Sequence, residues 1–283
     1  MTSRIRHRQN TFLERLRSAS RARNSLLCLG LDPDPSLMPS PDVASFNRAI
    51  IEATADLVCA YKPNLAFYEA LGWDGYQALL DTLRAIPEDI PVIGDAKRGD
   101  VGHTARAYAR ALFEVYGFDA VTVSPYLGFD SLEPFISYVD KGVFVLCKTS
   151  NPGSQDFQAL PVGPEGVPLY EIVARRAQDW NAEGNIGLVV GATFPQELRR
   201  VREICPEMPL LIPGIGAQGG DLAWAVREGL DGQGEGAIIS VSRQVLYASR
   251  GPDFAERARE QASLLRDDIN RHREVRLAGH QGG

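Results

Sequence analysis

The sequence lacks any apolar run close to the roughly 18 residues that a membrane span requires, so it predicts a protein with no membrane partner. It also lacks a net positive charge, since 36 acidic side chains outnumber 30 basic ones and give a formal charge of −6. General nucleic-acid binders are usually basic, so this balance argues against that class. It leaves room for a local basic pocket within an acidic surface.

Cysteine and histidine are both scarce, with four residues of each. The cysteines are scattered without a C-x-x-C pair, and three of them lie in apolar runs, where cysteine behaves as a small buried hydrophobe. The sequence therefore predicts free thiols, no disulfide framework, and a reducing, cytoplasmic compartment. The histidines show no spacing typical of a zinc site, and no metal is predicted from them.

The N-terminus lacks the apolar segment of a secretory signal, although it is rich in arginine. A transit peptide is one interpretation of this segment. The pattern favours a helix, because Thr11 can cap it and Glu14 follows three residues later. We therefore predict an Arg-rich helix within residues 1–24 and, at the other end of the chain, a disordered tail over residues 277–283.

Eight short apolar runs recur along the chain, and segments with helical periodicity separate them. Most of the runs are continuous rather than alternating, which is typical of parallel strands buried on both faces. The runs span residues 26–31, 57–62, 91–95, 120–123, 143–146, 186–190, 210–213 and 237–241.

Eight strand–helix units in about 250 residues match the count and size of a (β/α)₈ TIM barrel. A doubly wound open sheet is the alternative α/β fold, but it favours fewer strands and a G-x-G-x-x-G turn after the first strand. This sequence reads CLGLDPDP there. We predict a single TIM-barrel domain over residues 1–283 with an extra N-terminal helix. The one long connection, residues 149–168, is rich in Gly and Pro, and we expect it to form a lid.

Functional residues of such barrels lie in the loops that follow the strands. The seventh run leads into PGIGAQGG at residues 213–220, whose glycines let backbone N–H groups approach an anion. Gln218 in this loop and Arg243 after the eighth run stand where barrels commonly bind phosphate. The pattern predicts a phosphate site, and a Gly-rich turn without a ligand is the alternative.

The third run leads into GDAKRGD, which holds two carboxylates and two basic side chains within seven residues. An extended backbone would place Asp95 and Lys97 on the same side of the strand. Lys62, at the end of the adjacent second run, can then reach both. Groups of opposite charge packed together keep each other charged, so a lysine held there can donate a proton. A salt-bridge network that only closes the barrel rim is the alternative.

With these residues, the chain resembles the orotidine 5′-phosphate decarboxylase family, specifically its longer bacterial (type 2) form, in which the cluster reads DAKRGD. CLGLDPDP, YKPNLAFYE, GDAKRGDVGHTA, KTSNPGS, VVGAT, PGIGAQGG and ISVSR occur in the order of that family between about residues 26 and 249. The resemblance implies removal of CO₂ from orotidine 5′-phosphate to give uridine 5′-phosphate, the last step of pyrimidine synthesis. It also implies that neither a metal nor an organic cofactor takes part.

The resemblance implies a role for each matching residue. Lys97 would protonate C6, Asp95 would lie beside the departing carboxylate, and Lys62 would hydrogen-bond Asp95 and the ribose. In a homodimer, Asp100 and Thr104 would reach the site of the neighbouring subunit. The remaining substrate contacts are implied for Asp32 (ribose), Ser150 (pyrimidine edge), and Gln218 with Arg243 (phosphate).

Three other functions remain open. A 3-keto-gulonate-6-phosphate-type decarboxylase shares the barrel and the cluster but needs Mg²⁺, and Glu69 and Glu88 are interpreted as lying away from the strand ends. A Schiff-base aldolase would use Lys62, Lys97 or Lys148, although neighbouring carboxylates keep a lysine protonated and so disfavour it. A non-catalytic nucleotide-binding barrel would have lost a member of the charge cluster. All four members of that cluster are present, namely Lys62, Asp95, Lys97 and Asp100.

Overall fold

The computed structural model describes residues 10–216 and 219–280. Eight parallel strands follow one another around a nearly closed barrel, in which single bridges join the two end strands at Tyr61–Val92 and Asn64–Asp95. The TIM-barrel prediction is confirmed. The barrel strands are β1 Leu27–Leu31, β2 Ala60–Pro63, β3 Ile93–Arg98, β4 Ala120–Val123, β5 Gly142–Lys148, β8 Ile186–Val190, β9 Leu210–Pro213 and β10 Ala237–Val241. A short hairpin of β6 Pro161–Val162 and β7 Val167–Pro168 lies in the connection after β5 and is not part of the barrel.

Most of the helices surround the barrel and pack on the outer faces of its strands. A π-helical turn over Ala111–Val115 continues one of them, and a 3₁₀ turn over Pro152–Gln155 follows β5. The α-helices are α1 Phe12–Arg23, α2 Val43–Thr54, α3 Leu65–Glu69, α4 Gly72–Ala85, α5 Gly102–Arg110, α6 Phe129–Ile136, α7 Leu169–Trp180, α8 Pro195–Ile204, α9 Leu222–Gly229, α10 Arg243–Leu246 and α11 Phe254–His280. None of these helices is both long and apolar enough to cross a membrane.

Helix α1 closes the N-terminal end of the barrel. Its predicted capping box is present, because the Glu14 amide donates to Thr11 Oγ1 over 3.3 Å and the Thr11 amide donates to Glu14 Oε2 over 2.8 Å. Phe12 packs edge-to-face on Phe144 with ring centroids 5.7 Å apart. Gly142 permits this approach, since a Cβ there would lie 2.4 Å from the Phe12 ring. The helix thus covers the barrel interior at the end opposite to the predicted site.

The C-terminus is helical where the sequence predicts a disordered tail, so that prediction is wrong for residues 277–280. Leu277 packs against Gly234, where a Cβ would lie 2.9 Å from a Leu277 methyl carbon. The last turns of α11 therefore pack against the loop that precedes β10. Residues 281–283, and residues 1–9 of the predicted N-terminal segment, lie outside the described residues.

The barrel interior is apolar at its N-terminal end and polar at its C-terminal end. The four cysteines are buried and free, and burial raises the pKa of the Cys28 thiol to about 12. The polar residues Lys62, Asp95, Thr122 and Ser240 are buried beside the cleft that opens at the C-terminal end. The inner apolar cluster consists of Phe12, Leu16, Cys28, Cys59, Ala60, Ile93, Ala120, Phe144, Val189, Leu211 and Ile238.

Candidate active site

A cleft of about 370 Å³ opens where the barrel strands end. Its volume falls in the range of sites that bind small molecules. Most of the predicted site residues line it, and they come from strands, loops and a helix start that are far apart in the sequence. The predicted residues in its wall are Asp32, Lys62, Asp95, Lys97, Ser150 and Arg243.

The centre of the cleft is a carboxylate held between two ammonium groups. Lys62 Nζ donates to Asp95 Oδ2 over 3.1 Å, and Lys97 Nζ donates to Asp95 Oδ1 over 2.6 Å. The side chains of Lys62 and Asp95 are only 7% and 10% exposed, whereas that of Lys97 is 47% exposed. Lys97 is therefore the member of the cluster that is most accessible to a ligand, while Asp95, itself held by Lys62, fixes its position.

Burial and charge act in opposite directions on these groups. Burial alone would raise the pKa of the Asp95 carboxyl, but the ammonium groups of Lys62 and Lys97 outweigh it and hold that pKa well below its usual range. Burial alone would lower the pKa of the Lys62 ammonium, but the carboxylates of Asp95 and Asp32 outweigh it and raise that pKa. Asp95 and Lys62 are therefore both charged at neutral pH.

The backbone at Lys97 is not extended, contrary to the sequence-based expectation. Its φ is +48°, and the pairing of β3 with β4 shifts register between Gly94 and Arg98. The Lys97 amide donates to Thr122 Oγ1 over 2.9 Å, and Thr122 Oγ1 donates to Asp95 Oδ1 over 2.9 Å. The predicted contact between Lys97 and Asp95 is correct, but a left-handed turn and a hydroxyl on β4 produce it.

Glu69 lies closer to the cluster than the sequence indicated. It forms an ion pair with Arg98, which also donates to the Ala96 carbonyl over 3.0 Å. The Arg98 guanidinium lies 5.4 Å from the centroid of the Tyr108 ring. Glu69 is therefore engaged by Arg98 at the end of β3, and it is not among the described residues that line the cleft.

Asp100 and Thr104 lie at the start of α5, outside the cleft wall as the described residues define it. Asp100 Oδ1 accepts from the Val101 amide over 2.7 Å. The Thr104 amide donates to the Val101 carbonyl over 2.9 Å. Of the four predicted catalytic residues, the chain thus brings three into direct contact and places Asp100 apart from them.

The predicted phosphate site lies on the opposite side of the cleft. Gly214 and Gly216 have φ values of +100° and +72°, which glycine adopts without strain. Gly214 lines the cleft, and so does Arg243, the first residue of α10. Gln218 lies outside the described residues. Ser242 Oγ is buried in the same wall without a hydrogen-bond partner among the described residues, so it is available to a ligand.

The connection after β5 is ordered by side chains that anchor it. Thr193 Oγ1 donates to the Ser150 carbonyl over 3.0 Å. Lys148 is fully buried behind the cleft, where Nζ donates to Ser154 Oγ over 2.5 Å and lies 3.9 Å from the centroid of the Phe194 ring. Burial lowers the pKa of Lys148. These contacts hold the segment that presents Ser150 to the cleft.

Several polar residues of the cleft were not singled out from the sequence. Except for Thr122, they stand within or next to motifs that were recognised. Asn64 also holds Asp32 in place, because its backbone amide donates to Asp32 Oδ1 over 3.3 Å. Alternation along β10 could have indicated two of them, since Ser240 and Ser242 flank an apolar residue in ISVSR. The set is Asn64, Thr122, Thr149, Asn151, Ser240, Ser242 and Gln244.

Comparison with known proteins gives one consistent result. A family model described as "Orotidine 5′-phosphate decarboxylase / HUMPS family" matches residues 25–258. A protein of Dehalococcoides mccartyi named orotidine 5′-phosphate decarboxylase is 56% identical over 265 residues, which cover 93% of this chain and 98% of that protein. A Thermomicrobium roseum protein of the same name is 55% identical over 279 residues, covering 96% and 99%. The solved structure of Leishmania donovani OMP decarboxylase has a TM-score of 0.83 at 45% identity, covering 93% and 99%.

Proposed function

The chain belongs to the orotidine 5′-phosphate decarboxylase/HUMPS family, and from this premise we propose that it removes CO₂ from orotidine 5′-phosphate to form uridine 5′-phosphate. It is a carboxy-lyase of pyrimidine synthesis. The observation that carries the proposal is the Asp95 carboxylate held between Lys62 and Lys97 at the centre of the cleft. The decarboxylases to which the chain is similar span nearly its whole length.

Loss of CO₂ leaves a carbanion at C6 of the pyrimidine, with no adjacent π-system placed to absorb the charge. Stabilisation must then come from the protein, and a cation fixed in advance at that position is the effective form of it. Lys97 has this property, because its Nζ is bound to Asp95 while its side chain is partly exposed in the cleft. Lys97 then protonates C6 as general acid.

Asp95 and Lys62 act on either side of this step. Asp95 lies next to the departing carboxylate and holds the Lys97 side chain in place, and Lys62 holds Asp95 and hydrogen-bonds the ribose. Asp32, which Asn64 holds in place, binds ribose hydroxyls. The low pKa of Asp95 and the raised pKa of Lys62 keep both groups charged through the reaction.

Contacts far from C6 supply the remaining binding. We assign the pyrimidine edge to Ser150 and the phosphate to Arg243, Gln218 and the glycine loop. The guanidinium of an arginine can donate two parallel hydrogen bonds to two oxygens of a phosphate. Binding energy from the phosphate can hold the reacting carbon against Lys97 and so raise the rate as well as the affinity.

We infer that the protein is a homodimer in which Asp100 and Thr104 serve the site of the neighbouring subunit. In support, both residues lie outside the cleft wall of their own chain, among the residues described. Val101 beside them is exposed, and so are Tyr126 and Leu127 on the adjacent loop. Exposed apolar side chains of this kind favour a protein interface.

Mixing two inactive variants tests this inference. Lys97→Ala and Asp100→Ala subunits, unfolded and refolded together, should regain about one quarter of wild-type activity, since half of the dimers are mixed and each holds one intact site. Each variant refolded alone serves as the control. No recovery in dimers shown by mass spectrometry to be mixed would mean that each site is built from one chain.

The ultraviolet absorbance of orotidine 5′-phosphate tests the proposed reaction and separates it from the alternatives. We expect the absorbance to change with turnover at a rate that EDTA does not alter. A rate abolished by EDTA would favour the Mg²⁺-dependent decarboxylase. In the described part of the chain, no cluster of three His, Cys, Asp or Glu side chains could hold a metal ion, and Arg98 engages Glu69. Binding of the nucleotide without turnover would indicate a non-catalytic barrel.

The aldolase alternative needs a neutral lysine in the cleft. Lys62 and Lys97 both donate to Asp95, whose carboxylate raises the pKa of Lys62, and Lys148 is buried behind the cleft. Borohydride should therefore trap no adduct with a carbonyl substrate.

The four free thiols also lead us to infer a reducing, cytoplasmic location.

A further inference from the structure

Thr122 is a buried hydroxyl on β4 that touches both parts of the proton-donating group. It is 1% exposed, yet it lines the cleft. Its Oγ1 accepts from the backbone amide of Lys97 over 2.9 Å and donates to Asp95 Oδ1 over 2.9 Å. Asp95 Oδ1 is also the oxygen to which Lys97 Nζ donates. The hydroxyl therefore connects the backbone of Lys97 to the carboxylate that holds the side chain of Lys97.

The direction of these hydrogen bonds is fixed by the number of protons. A threonine hydroxyl has one proton and two lone pairs. The Lys97 amide can only donate, so it occupies a lone pair of Oγ1, and the hydroxyl proton is directed to Asp95. The carboxylate then accepts Thr122 and Lys97 on Oδ1 and Lys62 on Oδ2. Three donors from three strands of the barrel thus fix its orientation.

The backbone of Lys97 needs such a partner. Its φ of +48° lies in the left-handed region, which costs free energy for a residue with a side chain. The hydrogen bond from the Lys97 amide to Thr122 offsets part of that cost. Without this hydrogen bond, the Lys97 amide would lose its partner, and the backbone at Lys97 could relax toward the extended form.

We propose that Thr122 is a positioning residue for the protonation step, which fixes where Lys97 Nζ stands relative to the reacting carbon. This inference rests on the proposed function. Packing alone does not require a hydroxyl at this position, because a valine has nearly the same shape. A valine would, however, leave one amide and one carboxylate lone pair without their partner in a buried site. The hydroxyl of Thr122, and not the shape of its side chain, is therefore the feature that positions Lys97.

Thr122→Val and Thr122→Ser test the proposal by steady-state kinetics on the full-length protein. Since a misplacement of about 1 Å can cost 10²-fold in rate, we expect Thr122→Val to lower kcat by about 10- to 100-fold. KM and the affinity for uridine 5′-phosphate should stay within about threefold of wild type, because the contacts assigned to the phosphate and the pyrimidine edge are made by residues that Thr122 does not hold. Thr122→Ser, which keeps the hydroxyl, should restore kcat to within about threefold of wild type.

Thr54→Val is the matched control. Thr54 is also fully buried and hydrogen-bonded, to the Ile50 carbonyl and the Tyr61 hydroxyl, but it lies at the end of α2. It should lose stability without a change in kcat. If Thr122→Val does not fold, Thr122→Ala takes its place with the same expected loss, since it also lacks the hydroxyl.

The outcomes separate this inference from the proposed function. An active wild type together with a folded Thr122→Val whose kcat is unchanged would overturn the positioning role alone. A kcat lost in Thr122→Val and not regained in Thr122→Ser would also overturn it, because shape rather than the hydroxyl would then matter. An inactive wild-type protein that nevertheless binds uridine 5′-phosphate would overturn the proposed function.

Discussion

Replacing Lys97 with alanine is expected to lower kcat by about 10⁴-fold or more, because the ammonium group both stabilises the carbanion and delivers the proton. Binding of uridine 5′-phosphate should change by less than about tenfold, since its contacts are made elsewhere in the cleft. The side chain is about half exposed, so the variant should fold. Steady-state kinetics and calorimetric titration with uridine 5′-phosphate measure the two effects separately.

Lys141→Ala is the control for removal of a lysine. Lys141 immediately precedes β5, at the opposite end of the barrel from the cleft. Its replacement should leave kcat within about twofold of wild type, as expected for a surface change far from the site. If Lys97→Ala retained more than about 1% of wild-type kcat, a loss smaller than general acid catalysis commonly supplies, Lys97 would not be the proton donor.

Replacing Asp95 with asparagine is expected to reduce both activity and stability. Lys62 is almost fully buried, and Asp95 is its ion-pair partner. Removing one partner of a buried pair leaves the other charge uncompensated, which costs about 3 kcal/mol or more in the free energy of unfolding. We also expect kcat to fall by about 10³-fold, since Lys62 and Lys97 lose the carboxylate that orients them.

The stability loss of Asp95→Asn should depend on pH in a defined direction. In the wild type, the Asp95 contribution is lost progressively as pH falls below the ordinary carboxyl pKa toward the lowered pKa of Asp95, and the Lys62 contribution is lost as pH rises above the ordinary lysine pKa toward the raised pKa of Lys62. Between the two ordinary pKa values the contribution is constant. In Asp95→Asn, Asp32 is the carboxylate that still opposes burial, so the pKa of Lys62 should fall and the stability deficit should narrow as pH rises toward the pKa of a free lysine.

Asp81→Asn is the matched control for this experiment. Asp81 pairs with Arg84 on the partly exposed surface of α4, and such pairs contribute at most about 1 kcal/mol. Thermal unfolding at several pH values should therefore separate the two variants. Equal losses for Asp95→Asn and Asp81→Asn would show that the pairing of Lys62 with Asp95 does not stabilise the fold.

The strands could be predicted from the sequence because barrel strands are buried on both faces and read as continuous apolar runs. The hairpin of β6 and β7 has only two residues per strand, which is too short to produce a pattern. The last turns of α11 were missed because their contacts lie far away in the sequence, as at Leu277 and Gly234. Local pattern carries no record of such contacts.

The charge cluster could be predicted because charged residues directly after an apolar strand are unusual. A further signal was present in composition: the chain has only four lysines, and Lys62, Lys97 and Lys148 all belong to carboxyl-terminal parts of barrel strands. Thr122 left no such signal, since it is one polar residue within an apolar run. The left-handed backbone at Lys97 left none either, because glycine is the residue that usually marks it.

The structure of the protein with uridine 5′-phosphate bound would locate C6 relative to the charge cluster and so show whether Lys97 can be the proton donor. We expect C6 to lie within about 3.5 Å of Lys97 Nζ, the distance of a reacting pair. We also expect the phosphate to contact Arg243 and the loop at Gly214. A nucleotide bound with its phosphate at Lys62 and Lys97, and its base directed toward Arg243, would show that Lys97 is not the proton donor and that Arg243 does not bind the phosphate.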